Sequence, residues 1–231
     1  TAAAEETVES GSLAQAIDYV QAAPLHAQGI DGTGVKVAVL DSGIDFTHLN
    51  LGGPGDQAVT DECFAGAAAP VAGICATLFG EGAPKVKGGY DFVGENWPNS
   101  DLVQDPNPID AGPEAGHGTH VADIIGGRSA DGSHLGIAPG VDLYGVKVCS
   151  SVSTSCSGVA ILQGLDWSLD PNGDGDISDA VDVVNMSLGS SYGQEQDDSA
   201  FAANNLVNAG VVVVASAGNS ADRPFIVGSP S

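Results

Sequence analysis

The chain has 231 residues, enough for one sizeable α/β domain with a hydrophobic core. It carries 30 acidic against 6 basic residues, a net charge of -24, which argues against nucleic acid or an anionic membrane as a partner. No apolar run reaches the roughly 20 residues that a bilayer-spanning helix needs.

Residues 1–16, rich in Ala, Glu, Ser and Thr, read as a leader or a short surface helix ahead of a domain that spans 17–231. Asp31-Gly32-Thr33-Gly34 is a turn signal, and it feeds the β-branched run Val35–Leu40, short enough for a buried strand. That strand ends in Asp41-Ser42-Gly43. A carboxylate at the carboxyl end of a buried parallel strand is where open α/β sheets place functional groups. Residues 50–115 are rich in Gly, Pro, Asp and Asn, and read as long surface loops with short strands around Val86–Val93. The cysteines form two local couples, Cys63 with Cys75 and Cys149 with Cys156. Two short-range disulfides are the simplest connectivity and imply an oxidising, extracellular compartment; free thiols are the alternative.

In Gly116-His117-Gly118-Thr119-His120-Val121, the residues Val121, Ile124 and Ile125 share one helical face, and Gly126-Gly127 stops the helix. His117 therefore sits at the helix start, where free N–H groups and the positive dipole end disfavour an imidazolium. A histidine that merely caps a helix would look the same. Beyond it, strand and helix patterns alternate. Val141–Val148 reads as a strand, and Ser157–Leu169 as a helix with Val159, Leu162 and Leu165 on one face. Val181–Met186 is the next strand, Gln196–Asn208 the next helix, and Val211–Ala215 a further strand ending at Ser216-Ala217-Gly218-Asn219. This alternation predicts a doubly wound, mostly parallel sheet with helices on both faces.

Asp170-Pro171-Asn172-Gly173-Asp174-Gly175-Asp176 opens like a calcium loop of the D-x-N-x-D-G type. Its twelfth position is Val181 rather than Glu, so Asp179 or Asp182 would have to complete the ligands Asp170, Asn172, Asp174 and Asp176; a plain polar turn is the alternative. Asn185-Met186-Ser187 is formally a glycosylation sequon, but it falls at the end of a predicted buried strand and is discounted.

Asp41, His117 and Asn219 all fall at strand ends or helix starts of one parallel sheet. With their surroundings they resemble the subtilisin-like serine proteases, the subtilases. Val39–Asp45 is similar to the family's aspartate motif, Gly116–Ala122 to its histidine motif, and Ala215–Asn219 to its oxyanion-hole motif. The resemblance implies a subtilisin-like fold, a secreted serine endopeptidase and structural calcium. In it, Asp41 would orient His117, and His117 would act as base toward a serine. Asn219 would stabilise the oxyanion. Ser187, Leu188 and Gly189, with Ser216, Ala217 and Gly218, would hold a protein or peptide substrate.

The family's Gly-Thr-Ser-Met-Ala nucleophile motif does not occur in residues 1–231, so the sequence reads as the N-terminal part of a catalytic domain whose C-terminal part is absent. The serine would come from sequence outside these residues or from a second chain, and this chain alone would be inactive. Two smaller departures are Asp123, where the family usually has Gly, and Leu49-Asn50, where many members have Pro-Asp near their first calcium site. Asp123 is expected to face solvent. Two other readings compete. One is a metal-dependent hydrolase using His48, His117, His120 and Asp41, and the other is a non-catalytic, calcium-stabilised fragment or binding module.

Overall fold

The structure, a computed structural model, describes residues 12–65 and 71–231; most of the 1–16 leader reading lies outside the described residues. The described part opens with α1 (Leu13–Tyr19), where Ser12 and Gln15 form a reciprocal capping box, followed by the short α2 (Ala23–His26). Then come β1 (Lys36–Asp41), α3 (Gln57–Ala65), α4 (Cys75–Leu78) and β2 (Val86–Asp91). The chain continues through α5 (His117–Gly126), β3 (Asp142–Lys147), α6 (Gly158–Leu169), β4 (Val183–Met186), α7 (Asp198–Asn208) and β5 (Val212–Ala215).

The strands form one five-stranded sheet in the order β2-β3-β1-β4-β5, and every neighbouring pair is parallel. Both faces of its centre are covered, which is why β1 reads as an unbroken apolar run rather than an alternating one. Ala38 and Leu40 point into a core shared with Leu165, Met186 and Leu206, on the side of α6 and α7. Val37 and Val39 point into the opposite core with Phe46, Ala122 and Leu143, on the side of α5. The fold is thus the α/β, subtilisin-like arrangement expected. β5 is the outer strand, paired with β4 alone among the described residues, and its Val212 and Val214 stand exposed.

Three local expectations need correction. The inward face of α6 is Ala160, Gly164, Leu165 and Ser168, whereas Val159 is exposed and Leu162 only half-buried. Small residues four apart let the helix approach the sheet closely; a β-carbon at Gly164 would stand 2.8 Å from a Val146 methyl. Second, residues 50–115 contain α3 and α4, which the Cys63–Cys75 disulfide joins; the other expected disulfide, Cys149–Cys156, is formed as well. Third, part of that stretch is interior: Asp105, Asn107, Ile109 and Asp110 are buried beneath the carboxyl edge of the sheet.

Candidate active site

β1 delivers Asp41 to the carboxyl edge of the sheet, 2% exposed, and α5 delivers His117 against it. His117 Nδ1 lies 2.7 Å from Asp41 Oδ1. A carboxylate only accepts, so Nδ1 carries the proton and Nε2 keeps its lone pair. The imidazole is otherwise open: its side chain is 60% exposed, and Nε2 makes no hydrogen bond among the described residues. Asp41 Oδ1 also accepts the Ser42 amide at 2.8 Å, while Oδ2 is buried without a partner. Burial pushes the Asp41 carboxyl above its ordinary value, and the bonds from His117 and Ser42 pull it back.

Close approach of α5 to β1 makes this contact possible. The Gly118 amide donates to Ser42 Oγ at 2.9 Å, and a β-carbon at Gly118 would overlap the Gly43 carbonyl and sit 3.0 Å from Asp41 Cβ. Only glycine fits there.

A second group of expected residues meets at the ends of β4 and β5. Ser187, Leu188, Gly189, Ser216, Ala217, Gly218 and Asn219 all line one cavity of about 230 Å³. Ser216 ties the two turns together, its amide donating to the Met186 carbonyl and its hydroxyl to the Leu188 carbonyl. The Ser187 hydroxyl accepts from Asn185 Nδ2, and Ser190 bridges to Ser229 in antiparallel fashion. Both groups lie on the same edge, because the carboxyl ends of parallel strands point one way.

The loop after α6 folds around its own carboxylates. Asp170 accepts the amides of Gly173, Asp174 and Gly175, Asn172 that of Asp174, Asp174 that of Asp176, and Asp176 that of Ser178. Asp179 Oδ2 accepts the Asn172 amide, and its Oδ1 is a buried oxygen without a partner. Oxygen donors alone, with one orphaned carboxylate oxygen, suit a hard cation such as calcium. Among the described residues, however, the three carboxylates whose oxygens converge within 4.8 Å are Asp91, Glu95 and Asp105, which the sequence did not single out. A cation of the chain's own stands among them: Lys147 is fully buried, with Nζ 3.1 Å from Asp91 Oδ2 and 3.2 Å from both Glu95 oxygens. His48, His120, His117 and Asp41 do not converge in that way among the described residues.

Asp123 does not face solvent. Its Oδ1 is 2.7 Å from His134 Nε2, and its Oδ2 accepts from Asn50 Nδ2 at 3.2 Å, so both departures from the family pattern meet in one contact. Asp110, another residue without a sequence signal, hydrogen-bonds the first turn of α5.

The family profile described as the subtilase family matches residues 32–231. Subtilisin E of Bacillus subtilis (strain 168) is 32% identical over 222 residues, covering 95% of this chain and 44% of that protein. Alkaline elastase YaB of Bacillus sp. (strain YaB) is 36% identical over 205 residues, covering 88% of this chain and 39% of that protein. The chain therefore spans less than half the length of these relatives. Among solved structures, S41 Psychrophilic Protease superposes with a TM-score of 0.57 at 26% identity, covering 87% of this chain and 50% of the other.

Proposed function

The chain belongs to the subtilase family, and from that premise we propose that it is the part of a secreted serine endopeptidase that supplies the base, its orienting carboxylate and the oxyanion donor. The observation that carries this reading is the 2.7 Å contact between a buried carboxylate and an open imidazole at the carboxyl edge of a parallel sheet. Asp41 holds His117 in the tautomer whose Nε2 is basic and stabilises the imidazolium when it forms. Nε2 accepts the proton of a serine hydroxyl as that oxygen attacks the substrate carbonyl, then returns the proton to the leaving amine. The family's Gly-Thr-Ser-Met-Ala nucleophile motif does not occur among residues 1–231.

Asn219 donates its side-chain amide to the oxyanion of the tetrahedral intermediate, an interaction worth about 3–4 kcal/mol in such enzymes. Ser187, Leu188 and Gly189 pair with an extended protein or peptide substrate as an added strand, with Ser216, Ala217 and Gly218 opposite. Structural calcium would be held by Asp170, Asn172, Asp174, Asp176 and Asp179, where it would neutralise clustered carboxylates and brace the turn between α6 and β4. Disulfides and strong acidity accord with an extracellular life. Among the described residues, no helix is long and apolar enough to cross a membrane.

The full-length protein tests this reading. A serine-directed fluorophosphonate should label and inactivate it, and His117→Ala should lower kcat by about 10⁴-fold or more. Peptide hydrolysis that persists in His117→Ala sinks the proposal.

A further inference from the structure

The helix that starts at His117 has no cap from its own sequence. Gly116 occupies the cap position with φ 115°, and no side-chain cap bond is made there. The missing function comes from a separate segment. Asp110 Oδ2 accepts from the Gly116 amide at 3.0 Å, the Thr119 amide at 3.0 Å and the Thr119 hydroxyl at 2.6 Å. Thr119 Oγ1 in turn accepts from the Asp45 amide at 2.9 Å, so its proton is committed to Asp110. The Asp110 side chain is buried, 5% exposed, and the three donors on one oxygen come from residues on both sides of His117.

From this geometry we propose that Asp110 is a positioning residue for the imidazole. Its carboxylate fixes the pitch and direction of the first turn of α5, and thereby the side-chain bond of His117 relative to Asp41. The helix N-terminus favours a negative charge at this place, and bonds to an ionised acceptor are the strong kind. Asp41 then fixes the ring and Asp110 the backbone beneath it. Two carboxylates serve one histidine, and only Asp41 touches it. This role rests on the peptidase reading above.

The test uses the full-length protein, assayed well below the melting temperature of each variant. Removing a support that shifts a catalytic group by about 1 Å can cost on the order of 100-fold in rate. Asp110→Ala is therefore expected to lower kcat by about 10–100-fold with KM changed less than about twofold. Asp110→Asn keeps an acceptor oxygen and should lose less. Thr119→Val, nearly isosteric, should lower kcat without unfolding the helix, and combining it with Asp110→Ala should add little, because both act through one contact. A kcat preserved in Asp110→Ala and Thr119→Val while His117→Ala is inactive overturns the positioning role and leaves the peptidase reading standing. A fall in kcat/KM carried entirely by KM also overturns it. Full activity in His117→Ala overturns both.

Discussion

Asp105→Asn should make the protein less sensitive to alkali. Asp105 is buried at 4% exposure; Oδ1 accepts the Asn107 amide at 2.8 Å, and Oδ2 has no partner. Burial, with like charges from Asp91 and Glu95, pushes its carboxyl up to about 7 from 3.8. The folded chain thus holds this proton more tightly than the unfolded chain. Its contribution to stability is fully present below about pH 3.8 and is lost as pH rises through about 7. A shift of roughly 3 units at about 1.36 kcal/mol each corresponds to roughly 4 kcal/mol, which local relaxation reduces to about 2–4 kcal/mol. Asparagine keeps the shape and cannot ionise. The stability difference between Asp105→Asn and its parent should therefore move by about 2–4 kcal/mol in favour of the variant between about pH 4 and pH 8. Urea unfolding followed by Trp97 and Trp167 fluorescence reads this out, in a His117→Ala background so that self-digestion plays no part. A difference equal at both pH values within about 0.5 kcal/mol would refute the reasoning.

Lys147→Met should destabilise the same background by about 3–5 kcal/mol, because it leaves the buried Asp91 and the half-buried Glu95 without their cation; a loss below about 1 kcal/mol in urea unfolding would show that the carboxylates are satisfied otherwise. Chelation should lower the melting temperature of the protein, and calcium at about 100 times its Kd should restore about 2.7 kcal/mol. Asp179→Ala should abolish that response, and an unchanged calcium-dependent shift in the variant would exclude the 170–179 loop as its source.

Much of the frame was legible because its signals are local. Val121, Ile124 and Ile125 marked α5, and the β-branched runs marked β1, β4 and β5 to within a residue or two. The contact between Asp41 and His117 was implied by the resemblance to the subtilases; the residues alone placed Asp41 at a strand end and His117 at a helix start. The missed features have no local signal. In α3, Val59, Cys63 and Phe64 form no continuous stripe, and the helix is joined to α4 by a disulfide rather than marked by amphipathic spacing. Lys147 shares its strand face with Val141 and Leu143, and nothing in that spacing shows that its ammonium ends among carboxylates that come from β2 and the loop beyond it. Asp110 lies in a stretch whose composition says loop, and nothing in its spacing shows that it reaches the start of α5. On α6 the helix itself was evident but its inward face was not, since close packing selected Ala160 and Gly164 over the larger Val159.

The contact between Asn50 and Asp123 bears on how such a sequence can change. The resemblance leads one to expect Asp and Gly at these two places, whereas this chain has Asn and Asp, so the pair still carries one carboxylate but on the other side of the contact. Asn50→Asp alone would set two carboxylates about 3.2 Å apart, with one amide donor gone; Asp123→Gly alone would strip His134 and Asn50 of their acceptor. The two positions are therefore coupled, and the effects of substituting them should not add.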